Sequence, residues 1–480
     1  MRKQVVILVS LGVLGIAVAI AAKNAASDDA HITMRVVRHA LEGDGLRYNA
    51  GDMGVQPATS PLNLLLLLLI SGALGIFGIA TEAAVITAPC VLAAFALPML
   101  GACAYMLMLG DKRSSLMAAA ASAFLISVPI SLGTMGLETI LSMALCIGAV
   151  LAYRHNKLPL MGWLLGLAFL ARHDAAILAV ILYFLVWRNS KKSEPVNVLA
   201  AAIGFLAVAA PWLIFSLLYY GVATPSTLES KAAQGGTVYW PAWYPTMLWH
   251  WMKVYFLGSP VFAGLAIFAA AAGTLRAVWK RTRGSEAMLI FLAYQFLVFA
   301  AYSMMQMPDY HWYFVPYGMA IVVACGWLLA SLEELRLSEN TAAVASVAIV
   351  VAVGALMFPK APTAGPVWES YREVGRYLEQ HPPKTAAGLM EIGIIGFYAP
   401  SVRVFDFAGV ATLEQAARVS QNSANTWLDD PSVADVVVIR GVDHPLEPDF
   451  DERFESLYKH EWTSAPSAAF SSGLQVWRLK

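Results

Sequence analysis

Residues 1–35 read MRKQVVILVSLGVLGIAVAIAAKNAASDDAHITMR. An apolar run, 5–22, lies between a basic start, Arg2-Lys3, and a polar segment that opens with two adjacent carboxylates, Asp28 and Asp29. The run is long for the apolar part of a signal peptide, and it leads straight into a polar segment that needs a tether. It is therefore expected to be a membrane-spanning helix with its basic end in the cytoplasm. The polar segment after it is then expected outside.

Working outward, further apolar runs follow at 61–80, 84–110, 116–132, 138–153, 158–171, 175–187, 197–219, 260–275, 286–305, 312–332 and 341–358. In lipid such runs must be helical, because nothing there can pair with backbone N–H and C=O groups. Their connections alternate. Those at 112–113, 154–157, 188–192 and 280–283 are basic, that at 333–336 carries Arg336, and all five are expected in the cytoplasm. Those at 133–136, 172–174, 220–258 and 306–311 lack that bias and are expected outside. Between the first outer loop, 23–60, and Lys112-Arg113 an odd number of crossings is required, yet 61–110 holds two runs and cannot hold three spans of about 20 residues. One of the two is expected to be re-entrant or in-plane, leaving about eleven crossings.

Composition agrees. Of 480 residues 59% are hydrophobic and 13% charged, against about a quarter charged in soluble chains. A net charge of zero points away from nucleic acid. The four cysteines, Cys90, Cys103, Cys146 and Cys325, are scattered through apolar runs and read as small core residues.

The reading divides the chain into a membrane domain, 1–358, and a soluble domain, 359–480, of roughly a hundred residues with α/β or α+β character. Loop 220–258 is crowded with Tyr239, Trp240, Trp243, Tyr244, Trp249, Trp251 and Tyr255, residues that favour the membrane interface. A helix lying on the surface is expected near 243–257. In the soluble domain a helix is predicted at 366–380, stopped by Pro382-Pro383. Strands are predicted at 402–407, 435–439 and 474–479.

Residues able to do chemistry gather in the outer segments. The Asp28-Asp29 pair suits a divalent metal or a general base, or else a solvated acidic start to a helix. Arg172-His173-Asp174 sits between two short apolar runs, where three ionisable groups are costly unless they line an aqueous cavity; a tight turn with a snorkelling arginine is the alternative. Glu138 stands at a helix mouth, where the macrodipole favours a carboxylate. Lys231 and His311 are cations suited to a phosphate or to anchoring at the interface. Convergence of both charge signs on one side suggests a site for a phosphate-bearing ligand with a base or metal beside it.

Asp28-Asp29-Ala-His-Ile-Thr-Met-Arg35, Glu42-Gly-Asp-Gly-Leu-Arg-Tyr48-Asn49-Ala-Gly51 and Thr59-Ser60-Pro61-Leu62 resemble the first-loop signature of GT-C glycosyltransferases, closest to the mycobacterial terminal arabinofuranosyltransferases and their bacterial relatives. Gly136-Leu-Glu138-Thr-x-Leu141, Leu170-Ala-Arg172-His-Asp174-Ala, Glu391-Ile-Gly393-x-x-Gly396-Phe-Tyr398 and Val404-Phe-Asp406-Phe-Ala-Gly409 resemble that group in the same order. His31 stands for an aromatic residue of the pattern, His173 for a proline, and Gly54-Val55-Gln56-Pro57 matches poorly.

The resemblance implies a polytopic α-helical enzyme of the inner membrane, with its active site and C-terminal domain outside the cytoplasm. It implies sugar transfer, hexosyl or pentosyl, from a polyprenyl phosphate to a cell-envelope glycan, lipid or protein, with inversion. Asp28 would be the general base. Asp29, with Asp28, would hold a divalent cation (Mg, Mn or Ca). Arg172, Lys231 and His311 would bind the donor phosphate. Glu138, His173, Asp174 and Arg35 would contact substrate or acceptor. The alternatives from other classes are a lipid or solute transporter, and a non-catalytic scaffold on the same fold.

Overall fold

The computed structural model describes the chain apart from residues 1, 53–54, 57–58, 113, 128–132, 190–194, 334–338, 358–365, 442–444, 449–450 and 468–469. Gly54, Pro57, Arg113, Lys191, Lys192 and Arg336, used in the sequence reading, lie outside the described residues.

The described helices of the membrane part are α1 (Arg2–Ala21), α2 (Asp28–Glu42), α3 (Pro61–Ile76), α4 (Thr81–Leu109), α5 (Leu116–Ser127), α6 (Thr139–Arg154), α7 (Leu158–Ala171), α8 (Ala175–Arg188), α9 (Pro195–Tyr220), α10 (Ser226–Gln234), α11 (Tyr244–Tyr255), α12 (Pro260–Lys280), α13 (Arg283–Met304), α14 (His311–Leu332) and α15 (Glu339–Met357). Six of them, α1, α4, α9, α12, α13 and α14, are long and apolar enough to cross a membrane, and six shorter apolar helices accompany them. The chain is a multi-pass membrane protein. The disputed stretch 61–110 is an unequal pair. α3 has 16 residues and rises about 24 Å, less than a hydrocarbon core of about 30 Å. α4 has 29 residues and rises about 44 Å. α4 carries Pro89 and Pro98 in its interior, and Gly15 of α1 packs where a side chain would lie 2.8 Å from the Pro98 ring.

α2 is built differently. Ser27 caps it by accepting from Ala30 N–H at 3.2 Å, Asp28 and Asp29 fill its first turn, and Gly43, at φ 101°, ends it. Carboxylates at that end are favoured by the helix dipole. The helix buries Ile32, Met34, Val36 and Val37 in a core shared with the C-terminal part of the chain.

That part holds α16 (Pro366–Gln380), α17 (Ile392–Tyr398), α18 (Leu413–Ser420) and α19 (Glu452–Leu457) around a five-stranded sheet. Its strands are β1 (Ala387–Leu389), β2 (Val404–Asp406), β3 (Val436–Ile439), β4 (Tyr458–Thr463) and β5 (Gln475–Leu479), in the order β2-β1-β3-β5-β4. β1 runs parallel to β2 and β3; β5 runs antiparallel to β3 and β4. β2, β3 and β5 fall on the three predicted strands. β1, Ala-Gly-Leu, carries no β-branched residue, and β4, Tyr-Lys-His-Glu-Trp-Thr, is a polar edge, so neither gave a strand signal. α17 was not predicted as a helix either, because two glycines in seven residues argue against one.

Candidate active site

A cavity of about 310 Å³ lies where the membrane helices meet the C-terminal domain. Its walls come from α2 (Asp29, Thr33), the turn before α3 (Thr59, Ser60), the mouth of α6 (Glu138), the α7–α8 junction (Arg172, His173, Asp174), α10 (Lys231), α13 (Tyr302), the start of α14 (Trp312, Tyr313) and Val410 of the C-terminal domain.

The two first-loop carboxylates part company. Asp28 turns to α17. Its Oδ2 accepts from Gly393 N–H at 3.0 Å and its Oδ1 from Ile394 N–H at 2.7 Å. Burial, with Glu391 and Asp29 close by, raises its carboxyl well above the usual range, against those two amides. Asp29, one residue on, lines the cavity. Burial raises its carboxyl too, while Lys231 and His311 pull it down. No other residue's amide or hydroxyl is bonded to it among the described residues.

Arg35 is not at the cavity. It is 1% exposed and donates only to carbonyls: Tyr48 at 2.8 Å, Ala399 at 3.1 Å, Val402 at 2.6 Å, and Gly396. Tyr48 adds a bond from its hydroxyl to the Ile392 carbonyl at 2.6 Å. Carbonyls at and just past the C-terminal end of α17 are thus held by α2's arginine, and two amides of its first turn by α2's Asp28. This explains Gly393 and Gly396. A side chain on Gly393 would overlap the Asp28 backbone, and one on Gly396 would meet the Tyr48 hydroxyl at 2.5 Å and the Arg35 guanidinium at 2.9 Å.

Arg172 is fastened to carboxylates. It donates to Asp174 at 2.7 and 3.1 Å and to Glu138 at 3.3 Å. The Tyr302 hydroxyl donates to Asp174 at 2.8 Å. Burial pushes the Asp174 carboxyl up, and the arginine more than reverses this, holding it below its usual range. Burial pushes His173 down; its ring stands edge-on to Phe169, 5.0 Å away.

Lys231 is different. It is 6% exposed, its ammonium lies over the rings of Trp312 at 5.1 Å, Tyr310 at 5.4 Å and Tyr313 at 6.0 Å, and among the described residues no carboxylate is in ion-pair contact with it, Asp29 acting on it only from farther off. An aromatic cage attracts a cation without neutralising it. His311 stands just behind, with its Nε2 3.0 Å from the Gly133 carbonyl oxygen. The cage residues Tyr310, Trp312 and Tyr313, and Tyr302, were not singled out in the sequence. Aromatic residues at the start of a membrane helix give the ordinary interfacial signal, and nothing in it marks a cation beside them.

Of the two carboxylates read as a metal pair, Asp28 gives each of its oxygens to an amide of α17 and Asp29 faces the cavity. Among the described residues no three His, Cys, Asp or Glu side chains converge to hold a metal. A divalent cation is compatible with the cavity through Asp29, its one protein carboxylate there not already paired with Arg172.

The profile of a domain of unknown function (DUF8728) matches residues 365–477, the C-terminal domain. No curated protein sequence matches the chain. Among solved structures the chain is similar to the Archaeoglobus fulgidus oligosaccharyltransferase in its apo form, at 13% identity over 90% of this chain and 69% of that one, with a TM-score of 0.51. It is similar also to the same enzyme in complex with zinc and sulfate, at 13% identity over 90% and 67%, with a TM-score of 0.54. At such identity the likeness concerns architecture, and it agrees with the resemblance carried by the first-loop residues: the chain shares the fold of that oligosaccharyltransferase.

Proposed function

We propose that this protein is a membrane glycosyltransferase that moves a sugar from a polyprenyl phosphate to an acceptor outside the cytoplasm, with inversion at the anomeric carbon. One observation carries the reading: a single cavity presents, among the described residues, a carboxylate that accepts no hydrogen bond from another residue, Asp29, and a cation engaged in no ion pair, Lys231, close enough for each to feel the other's charge. These are the two groups that a displacement on a sugar phosphate needs. Asp29 takes the proton of the acceptor hydroxyl as its oxygen bonds to the anomeric carbon. The bond from that carbon to the phosphate oxygen breaks, and the electron pair leaves on the lipid phosphate, whose charge Lys231 meets. The base is thus Asp29, the residue on the cavity, and Asp28 is its anchor. Arg172, Glu138, Asp174 and His173, which also line the cavity, orient the sugar. Arg35 acts from outside the cavity by docking α17. A divalent cation bound through Asp29 would add positive charge for the phosphate.

The test is transfer by the purified protein in lipid nanodiscs from a panel of radiolabelled polyprenyl-phosphate hexoses and pentoses. Turnover of one of them is expected. No turnover of any, by well-folded protein, would move the reading to a transporter or a scaffold.

Replacing Lys231 with Met removes one of the two cations that lower the Asp29 carboxyl. Asp29 must be ionised to act, so the acid limb of the kcat/KM profile is expected at higher pH in the variant. A limb that stays in place would detach Lys231 from the base.

The reading puts the cavity in the outer half of the cytoplasmic membrane. Cysteine at Asp44, which is exposed, should then react with an impermeant thiol reagent on intact cells. Cysteine at Lys157, also exposed, should react only after permeabilisation. The reverse pattern would sink the orientation.

A further inference from the structure

The cation of the cavity rides on a helix that cannot hold itself in place. α10 has nine residues, Ser-Thr-Leu-Glu-Ser-Lys-Ala-Ala-Gln, and isolated helices below about 12–15 residues are marginal even with better sequences. Its last residue, Gln234, is 1% exposed and bonded through both ends of its amide. Nε2 donates to the Ala408 carbonyl at 2.8 Å, and Oε1 accepts from the Tyr310 hydroxyl at 3.0 Å. A carbonyl on one side, which only accepts, fixes which way the amide points.

Each partner leads back to the cavity. The Tyr310 ring is one face of the Lys231 cage. Ala408 belongs to a loop whose shape is set by Asp406, which accepts from Ala408 N–H at 2.9 Å and Ala411 N–H at 2.8 Å, and the same loop brings Val410 to the cavity wall. Lys231 lies three residues before Gln234, one turn back on the same side of the helix. Gln234 itself does not line the cavity.

We infer that Gln234 is the positioning residue of the donor site, tying the helix that carries Lys231, the cage around its ammonium and the Asp406–Ala411 loop into one arrangement. The inference rests on the cavity being a polyprenyl-phosphate-sugar site. A lysine side chain gives up rotamer freedom when it is ordered. With Gln234 in place that ordering precedes binding; without it, binding has to supply it. The loss therefore falls on donor affinity. Asp29 sits on α2, to which Gln234 makes no hydrogen bond, and turnover of the bound donor is left alone.

The experiment uses the full-length protein in nanodiscs, with Gln234→Ala and Tyr310→Phe as variants. Tyr310→Phe deletes a single oxygen and keeps the ring, so it tests the tie even if Gln234→Ala folds poorly. Donor KM and kcat are measured, and binding of a short-chain polyprenyl monophosphate is followed by tryptophan fluorescence. Both variants are expected to raise KM and Kd about tenfold, the size of one lost hydrogen bond to a fixed partner, with kcat within twofold of wild type. Unchanged KM and Kd, or a fall in kcat at unchanged KM, would overturn the inference and leave the transferase reading standing. A wild type that neither turns over the sugar donors nor binds the monophosphate would overturn both.

Discussion

Asp29→Asn is expected to lower sugar transfer by about 10²–10⁴-fold in protein that remains folded, the usual contribution of a positioned general base. Nothing in the packing opposes the change. The amide has nearly the carboxylate's volume, the side chain faces a cavity, and no other residue's amide or hydroxyl bonds it among the described residues. The loss of a carboxylate that can take a proton is therefore separable from damage to the fold. Asp28→Asn tests the same chemistry from the other side. Asp28 accepts from two amides of α17; an asparagine offers one oxygen and turns an NH₂ group toward the second amide. A buried donor left unsatisfied costs about 1–3 kcal/mol, so this variant is expected to lose thermal stability as well as activity. Activity and melting temperature of the two variants, measured side by side, decide the matter. Asp29→Asn within tenfold of wild type, with Asp28→Asn inactive at wild-type stability, would return the base to Asp28.

Gly393→Ala is expected to be the more damaging change to the molecule as a whole. The added methyl would overlap the Asp28 carbonyl oxygen and lie 2.5 Å from its carbonyl carbon and 2.7 Å from Oδ2. Those first two atoms are backbone in the opening turn of α2 and cannot swing aside. α17 has to lift off α2. Lifting breaks the pair of bonds to Asp28, the Tyr48–Ile392 bond and the Arg35 bonds around Gly396. A loss of more than about 3 kcal/mol is expected, since overpacking here is joined by unpaired buried polar groups. Activity should fall with it, because α2 also carries Asp29. Gly396→Ala is the internal control. Its methyl meets only the tips of Tyr48 and Arg35, at 2.5 and 2.9 Å. Side-chain tips can move, and about 1–3 kcal/mol is expected. Thermal unfolding and limited proteolysis of the C-terminal domain measure both. Gly393→Ala with wild-type stability would show that the docking of α17 on α2 is not as close as described.

Residues that speak through local chemistry were legible without the fold. A run such as 197–219 must be a helix wherever it sits, because lipid leaves its backbone no other partner, and α9 spans Pro195–Tyr220. Helix 366–380 showed its period and its proline stop, and it spans Pro366–Gln380. A helix opening on the acids Asp28-Asp29 was one of the two readings of that pair, and α2 starts at Asp28. The clustering of Asp29, Glu138, Arg172, Asp174 and Lys231 from separate stretches was suggested by topology, and the cavity brings them together.

Other features carried no local mark. Asp28 and Asp29 are chemically the same residue, and a helix turns about 100° between them, so which one faces the cavity depends on what docks against the other. That partner is α17, some 365 residues along the chain, in a segment whose glycines argue against a helix until α2 is set beside it. Arg35 read as a substrate contact because a charge in such a motif usually is one, yet four carbonyls from distant turns claim it. Lys231 read as one cation among several. Only the fold pairs Arg172 with carboxylates and sets the Lys231 ammonium over aromatic rings. Hydropathy and capping act over a few residues, so the sequence by itself determined the class of the protein, its helices and the neighbourhood of its chemistry. Which group is free and which is already partnered depends on contacts between distant segments, and that was decided by the tertiary structure alone.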